Sequence, residues 1–236
     1  VMIRSQTMQN RMNWVMEVGS NHSFFNRINS GFDDSGWEGS IGASLYATDN
    51  EQPYSQFDSQ SGSFHLSRQV SENLKFDFLS LGSKSNVNYP GNVKSFSYPI
   101  EGQFQEIEEI LLSPGVQIKI EDWKVKAFYC FSEDNLIGKD SFSDTTYDAD
   151  TNALDFQVNG AVTDGVEIVL GGSSEEESFY KKENSTNIVD INKKADSESI
   201  FALSTFSYGE DFSLVLGARH DNFSDYGSAS TWSALL

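Results

Sequence analysis

Apolar and polar residues alternate with a period of two along most of this chain, and no other feature constrains the fold as strongly. From Trp37 to Leu45, every second residue belongs to one face that reads Trp, Gly, Ile, Ala, Leu. Similar alternation recurs from Trp123 to Ser132 and from Ile200 to Tyr208. The spacing of an amphipathic helix is sustained nowhere, and alternation resumes directly after the stretch FQEIEEILL, so we interpret that stretch as a strand as well. The sequence therefore predicts an all-β fold of about twelve antiparallel strands.

The connections between these strands alternate in length. Tight-turn signals stand at DDSG, SEN, ED, TDG and GED, and a long polar stretch follows each of them. The long stretches are Asp49–Ser61, Ser83–Gln103, Ser132–Thr151, Ser173–Ser197 and His220–Ser228. In an up-and-down meander, this order places every short turn at one end and every long loop at the other. Such segregation, with strands of about ten residues, is typical of a transmembrane barrel.

Composition narrows the range of partners. The net charge is −19 over 236 residues, which excludes nucleic-acid phosphate as a partner. Aromatic residues make up 13% of an otherwise hydrophilic chain, and membrane barrels concentrate such residues near their two interfaces. We therefore expect interfacial girdles formed by aromatic residues near strand ends: Trp14, Trp37, Tyr46, Trp123, Tyr208 and Trp232. On pattern alone, a large soluble β protein with these residues in its core stays open.

The sequence carries no catalytic motif. The P-loop, His-Glu-x-x-His, Gly-x-Ser-x-Gly and Cys-x-x-Cys patterns are absent, and the single cysteine, Cys130, lies in the strand-like run AFYCF. Gly36, Gly39 and Gly42 lie on a strand that no helix follows, which excludes a dinucleotide-binding turn. We predict that the protein is not an enzyme and has no catalytic residues.

Both ends of the chain resemble one known family. The segment SLVLGARHDNFSDYGSASTWSALL resembles two barrel strands and an extracellular loop of TonB-dependent outer-membrane receptors, and NWVMEVGSNHSFFNRINSGF resembles their first barrel hairpin. The opening VMIRSQT resembles the last strand of their plug domain. The resemblance implies that residues 1–10 end the plug and its linker, and that residues 11–236 form the N-terminal half of the barrel. We therefore expect a fragment containing about the first twelve strands of a 22-stranded transmembrane β-barrel.

Within that family, the sequence is most similar to the cobalamin receptors. TTYDADTNALDFQ resembles the loop that supplies calcium ligands there, and YSQFDSQSG occupies the position of the other calcium-binding loop. Ca²⁺ takes about six to eight oxygen ligands, and clustered carboxylates provide them. The resemblance implies Ca²⁺ as a cofactor, with these candidate ligands: Asp58, Asp148, Asp150, Asp155 and the carbonyl oxygen of Tyr147.

The resemblance also implies a function. The protein would take up a scarce nutrient, cobalamin or a ferric siderophore, across a bacterial outer membrane. The barrel would contact the lipid bilayer and lipopolysaccharide, the long extracellular loops would capture the substrate, and TonB would act through a plug segment outside this chain. Two alternatives stay open: a passive porin or another small outer-membrane barrel, and a soluble secreted β-sandwich that acts as a binding module.

Overall fold

The computed structural model describes residues 11–90, 102–140, 143–184, 186, 188–209 and 212–236. Within these ranges the chain forms one sheet of twelve strands, each paired antiparallel with its neighbours in sequence. The strands are β1 (Met12–Val18), β2 (Phe24–Asp34), β3 (Trp37–Thr48), β4 (Phe57–Ser71), β5 (Leu74–Asn88), β6 (Phe104–Ile120), β7 (Trp123–Lys139), β8 (Asp144–Thr163), β9 (Val166–Glu183), β10 (Ile188–Tyr208), β11 (Phe212–Phe223) and β12 (Gly227–Leu235). The predicted all-β, up-and-down meander is confirmed, whereas the proposed plug strand in residues 1–10 lies outside the described residues. No helix in these ranges is long and apolar enough to cross a membrane.

The soluble β-sandwich is wrong for this chain. A sandwich buries apolar side chains between two sheets, but the chain forms one sheet, and none of the described hydrophobic side chains is buried. Large apolar side chains are exposed instead, on a surface that a β-sandwich would bury.

Side-chain alternation and register give the sheet two unlike faces. On the face that we call the apolar face, large hydrophobic residues recur on neighbouring strands; Leu170, Ala202, Ala218 and Trp232, for example, lie side by side across four strands. The opposite, polar face carries mainly serine, threonine and charged residues. We define the apolar belt by these residues, which are 37% to 84% exposed: Trp14, Ile28, Ile41, Phe64, Phe76, Ile110, Phe156, Leu170, Ile200, Leu216 and Trp232.

Tight turns join the strands at one end of the sheet, which we call the lower end. Ser35 and Gly36 connect β2 to β3 with positive φ angles of 51° and 79°. Two positive angles in a two-residue loop define a type I′ turn, which matches the twist of the flanking strands. Two-residue connections also join β4 to β5, β6 to β7 and β8 to β9. These tight-turn predictions are confirmed.

Three of the six residues predicted to form aromatic girdles lie near strand ends on the apolar face. Trp37, Trp123 and Tyr208 lie on the apolar face at the lower end, where an interface would place them. The guanidinium of Arg68 stacks on Trp37, 4.6 Å from the ring centroid. Trp14 and Trp232 lie on the same face, away from the strand ends.

Tyr46 is the exception within this aromatic set. It lies on the polar face, with ring centroids 6.5 Å from Phe25 and 5.6 Å from Phe57. Its place near the end of β3 suggested an interface, but alternation from Trp37 puts every even position of this strand on the other face. The assignment of Tyr46 to a girdle was therefore wrong.

The upper end differs from the prediction, because much of the sequence expected to form long loops is strand. β7 extends to Lys139 and β8 begins at Asp144, so the stretch Ser132–Thr151 contains a connection of only four residues. The stretch Ser173–Ser197 is also mostly strand, since β9 extends to Glu183. Strands β6 to β10 have 17 to 21 residues, whereas about 9–11 are enough to cross a bilayer.

These extra residues form upper segments that lie beyond the apolar belt. There the apolar-face positions are occupied by polar residues, among them Glu106, Asp148 and Lys194. A ladder with water on both sides needs no apolar face, so backbone pairing continues after the alternation has ended. The loop prediction failed for this reason.

Four glycines are covered by the ring of an aromatic residue directly opposite on the next strand. The pairs are Gly39 with Phe32, Gly115 with Phe128, Gly160 with Trp123 and Gly171 with Phe201. In each pair the ring covers the glycine so closely that an added Cβ would overlap it. Such pairs fill the gap left by the missing side chain and help to fix strand register.

Candidate functional site

A cavity of about 530 Å³ lies on the polar face between β2 and β7. Residues that lie directly opposite one another form a row across it, one from each strand. From β2 to β7, this row is Arg27, Ser44, Ser61, Ser83, Glu109 and Asp134. On β6 the row lies level with the upper edge of the apolar belt, where the opposite face changes from Ile110 to Glu108. The row is thus open toward the upper segments.

Serine hydroxyls occupy the middle of this row. The Oγ atoms of Ser44 and Ser61 are 2.7 Å apart, and Ser83 donates a hydrogen bond of 2.8 Å to Oε2 of Glu109. Asp134 lies directly opposite Glu109, so two carboxylates stand side by side. Three serine hydroxyl groups therefore line the middle of the cavity, and two negative charges lie at its β6–β7 end.

Arg27 carries the positive charge at the other end. Its guanidinium carbon lies 6.0 Å from the centroid of the Phe25 ring. Among the described residues, Arg27, Glu109 and Asp134 form no salt bridge. Some other charges of the sheet are paired, as in the 2.8 Å contact between Lys84 Nζ and Glu106 Oε1. The cavity therefore has opposite charges at its two ends, and the hydrogen bond from Ser83 leaves the charge of Glu109 without a cationic partner.

A second polar cluster lies nearer the lower end of the polar face. Gln117 Nε2 donates to Asp77 Oδ2 at 3.1 Å, and Lys75 Nζ and His65 Nε2 lie 3.6 Å and 3.9 Å from Asp77 Oδ1. The Asp77 side chain is 19% exposed, and it links residues from β4, β5 and β6. Asp77 therefore joins three strands on the polar face.

We expect Asp77→Ala to lower the free energy of unfolding by about 1 kcal/mol, because it removes the hydrogen bond from Gln117 and the partly exposed ion pair with Lys75. Asp122→Ala, in the exposed turn between β6 and β7, is the matched control and should leave stability unchanged. The measurement is a urea titration of each protein in lipid vesicles. Equal midpoints for the two variants would contradict the linking role of Asp77.

The five predicted calcium ligands do not converge on one point. Asp148 and Asp150 share one face of β8, while Tyr147 and Asp155 lie on the opposite, polar face. Asp58 is on β4, four strands from β8 in the order of the sheet. In the described ranges, no group of three or more His, Cys, Asp or Glu residues is arranged to hold a metal ion.

Neighbouring side chains hold three of these carboxylates. Asn135 donates to Asp148 at 2.8 Å, and Ser178 donates to Asp150 at 3.1 Å. Asp58 accepts a bond of 3.3 Å from Asn86. The contacts join adjacent strands of the upper segments, and calcium binding at these residues stays a prediction.

Two further contacts tie strands together at the upper end. The Tyr89 hydroxyl, just beyond β5, donates to the carbonyl oxygen of Lys139 at 3.0 Å. Burial, together with the negative charge of Asp140, raises the pKa of Tyr89. Lys181 Nζ lies 2.9 Å from Asp190 Oδ2, and this hydrogen bond raises the pKa of Lys181. Both groups keep their ordinary charge at neutral pH, so these contacts persist there.

Comparison with known proteins identifies the fold. No protein-family model matches this sequence, and no curated protein is significantly similar to it. Solved structures do match: the alcaligin outer-membrane receptor FauA from Bordetella pertussis (TM-score 0.77, 13% identity, 98% of this chain) and the siderophore receptor PiuA from Acinetobacter baumannii (0.72, 9%, 94%). The copper transporter OprC is also similar (0.67, 12%, 95%).

The chain spans 39%, 45% and 41% of FauA, PiuA and OprC, respectively. At identities this low, the likeness shows the fold alone. Twelve strands in simple up-and-down order, one apolar face and these matches lead to one conclusion. The chain has the fold of part of the barrel of TonB-dependent outer-membrane receptors.

Proposed function

We propose that this chain is part of the wall of an outer-membrane receptor that takes up a small nutrient into a bacterium. The sheet with one apolar and one polar face carries this proposal. The apolar belt would contact lipid and the polar face would line the lumen. Backbone groups in lipid must all be paired, so β1 and β12 would pair with further strands of the same protein to close a barrel.

The proposed orientation follows from the two ends of the sheet. The lower end, with its tight turns and its Trp37–Arg68 stack, would face the periplasm. The upper segments, polar on both faces, would project from the bilayer among the lipopolysaccharide headgroups. Strands rather than long loops would thus form much of the surface that a substrate meets first.

We propose a metal-carrying substrate, a ferric siderophore in the first place, and uptake energised by TonB. The similar structures support this class, since they include siderophore receptors and a copper transporter. Cobalamin has weaker support, because it rests on the resemblance of two loops whose proposed calcium ligands lie apart. In this function the chain binds and guides a solute and performs no covalent chemistry.

Deletion of the gene that encodes this chain tests the proposal. Radioactive iron uptake would be measured with a panel of siderophores, next to labelled cobalamin and copper, in parent, deletion and TonB-deficient cells. We expect the deletion and the TonB-deficient strain to lose uptake of the same substrate. Uptake that needs the gene but not TonB, together with passive sugar flux in a liposome-swelling assay, would make the protein a porin.

A further inference from the structure

We propose that the row from Arg27 to Asp134 binds an elongated zwitterionic solute, with its anionic end at Arg27 and its cationic end between Glu109 and Asp134. The ligand class is a short peptide or a peptide-like chelator that has a free carboxylate and a free ammonium group. The proposal rests on the proposed function, because it assigns a substrate class to the lumen wall.

The distribution of charge is the first argument. Two like charges directly opposite each other on neighbouring strands destabilise a sheet, and Glu109 and Asp134 stand in this relation with no cation bridging them among the described residues. A ligand ammonium placed between them would relieve the repulsion. Arg27 offers a planar guanidinium, which binds a carboxylate through two parallel hydrogen bonds.

Distance sets the size of the ligand. Arg27 lies on β2 and Glu109 on β6, four strand spacings apart, or about 19 Å measured along the sheet. Both side chains extend into the cavity and shorten this span. An extended peptide advances about 3.3 Å per residue, so roughly four to six residues separate a carboxylate and an ammonium by the required distance.

The centre of the row suits a peptide backbone. Ser44, Ser61 and Ser83 present hydroxyl groups, each able to donate and to accept a hydrogen bond. The row itself carries no apolar side chain, and the directly opposed Leu81 and Leu111 beside it give the cavity a small apolar patch. The site would therefore recognise the ligand mainly by its two charged ends and by the distance between them. An anionic solute would be repelled by Glu109 and Asp134.

The test uses the full-length protein in detergent and penta-alanine with free ends as the probe, compared with its C-terminal amide and its N-acetyl form. Binding would be measured by calorimetry. In the wild type, each blocked peptide should bind about tenfold to a hundredfold more weakly, the range that charged hydrogen bonds give. Arg27→Gln should lower the affinity for the free peptide to a similar extent. This variant should bind the free peptide and its C-terminal amide equally well.

The carboxylate end is tested in the same way. The double variant Glu109→Gln, Asp134→Asn should no longer distinguish penta-alanine from its N-acetyl form. Lys126→Gln and Glu167→Gln, on the polar face outside the row, are matched controls and should behave like the wild type. Arg27→Lys keeps the charge and should retain part of the discrimination, which guards against a variant that merely misfolds.

The proposal would be overturned if Arg27→Gln still bound penta-alanine more tightly than its C-terminal amide by the wild-type factor. It would also be overturned if the wild type did not bind penta-alanine. Iron uptake measured in the same cells separates its failure from that of the proposed function. If iron uptake depends on TonB but the free and blocked peptides bind equally to the wild type and to the variants, only the proposed zwitterion site is wrong. Excess penta-alanine that competes with siderophore uptake would assign the site to the metal-carrying substrate, and binding without competition would assign it to peptides.

Discussion

The Leu170→Arg protein should lose about 2–4 kcal/mol of folding free energy in a lipid bilayer, the cost measured for a basic residue at the lipid-facing midplane of a barrel. Leu170 belongs to the apolar belt, and its side chain is 46% exposed with no protein core to enter. If this face contacts lipid, an arginine here must leave water for hydrocarbon. In a soluble protein the same exposed position would tolerate arginine at almost no cost.

Leu203→Arg provides the matched control. Leu203 follows Ala202, which lies directly opposite Leu170, so the two leucines are at the same depth on opposite faces. An arginine at Leu203 would project into the aqueous lumen and should change stability by less than about 0.5 kcal/mol. Guanidinium titrations of both variants in phospholipid vesicles measure the difference. Equal losses would mean that the sheet has no lipid-facing side.

We expect Gly171→Ala to destabilise the protein by about 1–3 kcal/mol, the usual cost of overpacking a closely fitted site. A Cβ at Gly171 would overlap the ring of Phe201 and lie 2.8 Å from the carbonyl oxygen of Phe156. The ring can move only by leaving the glycine that it covers. The backbone carbonyl can move only by distorting the ladder between β8 and β9.

Gly62→Ala is the control for this substitution. Gly62 is also in mid-strand, but an added Cβ there would meet nothing closer than the carbonyl oxygen of Gly42 at 4.0 Å. Stability should stay constant or rise slightly, because alanine restricts the unfolded chain. The fraction of heat-resistant folded barrel on a gel, measured over a temperature series, reports both variants. A Gly171→Ala protein as stable as Gly62→Ala would contradict the close packing of Phe201.

Alternation made the course of the sheet predictable. In a strand bounded by lipid on one side and water on the other, every second residue must be apolar. The segment from Trp37 to Leu45 therefore identified both its conformation and its apolar face. The tight turn between β2 and β3 could also be predicted, because Ser35 and Gly36 adopt backbone angles that few residue types accept at low cost.

The upper segments escaped prediction for a physical reason. The upper segments carry polar residues on both faces, so the alternation ends there although the backbone stays paired. Ser132–Thr151 therefore has the composition of a loop and the structure of two strands. Tyr46 was assigned to an interface from its place near the end of β3, although the alternation from Trp37 already required it to lie on the polar face.

The candidate site could not be read from the sequence, because alternation identifies the face of a residue but not its neighbour on the next strand. Arg27, Ser61 and Glu109 are far apart in the chain, and only the register of four ladders brings them into one row. The predicted calcium ligands on β8 show the opposite relation between sequence and structure. They are close in sequence, yet Asp148 and Asp155 lie on different faces of the same strand.

The most direct test of the lipid-facing sheet is a spin-label scan of β10 in the full-length protein, reconstituted in vesicles after Cys130→Ser. Single cysteines from Ser199 to Ser204 would be labelled, and their collision rates with oxygen, which partitions into lipid, and with a water-soluble nickel complex would be compared. We expect the two collision rates to alternate with a period of two residues. Positions 200, 202 and 204 should favour oxygen, and positions 199, 201 and 203 should favour nickel. Collision rates with no alternation along this strand would contradict a sheet placed between lipid and an aqueous lumen.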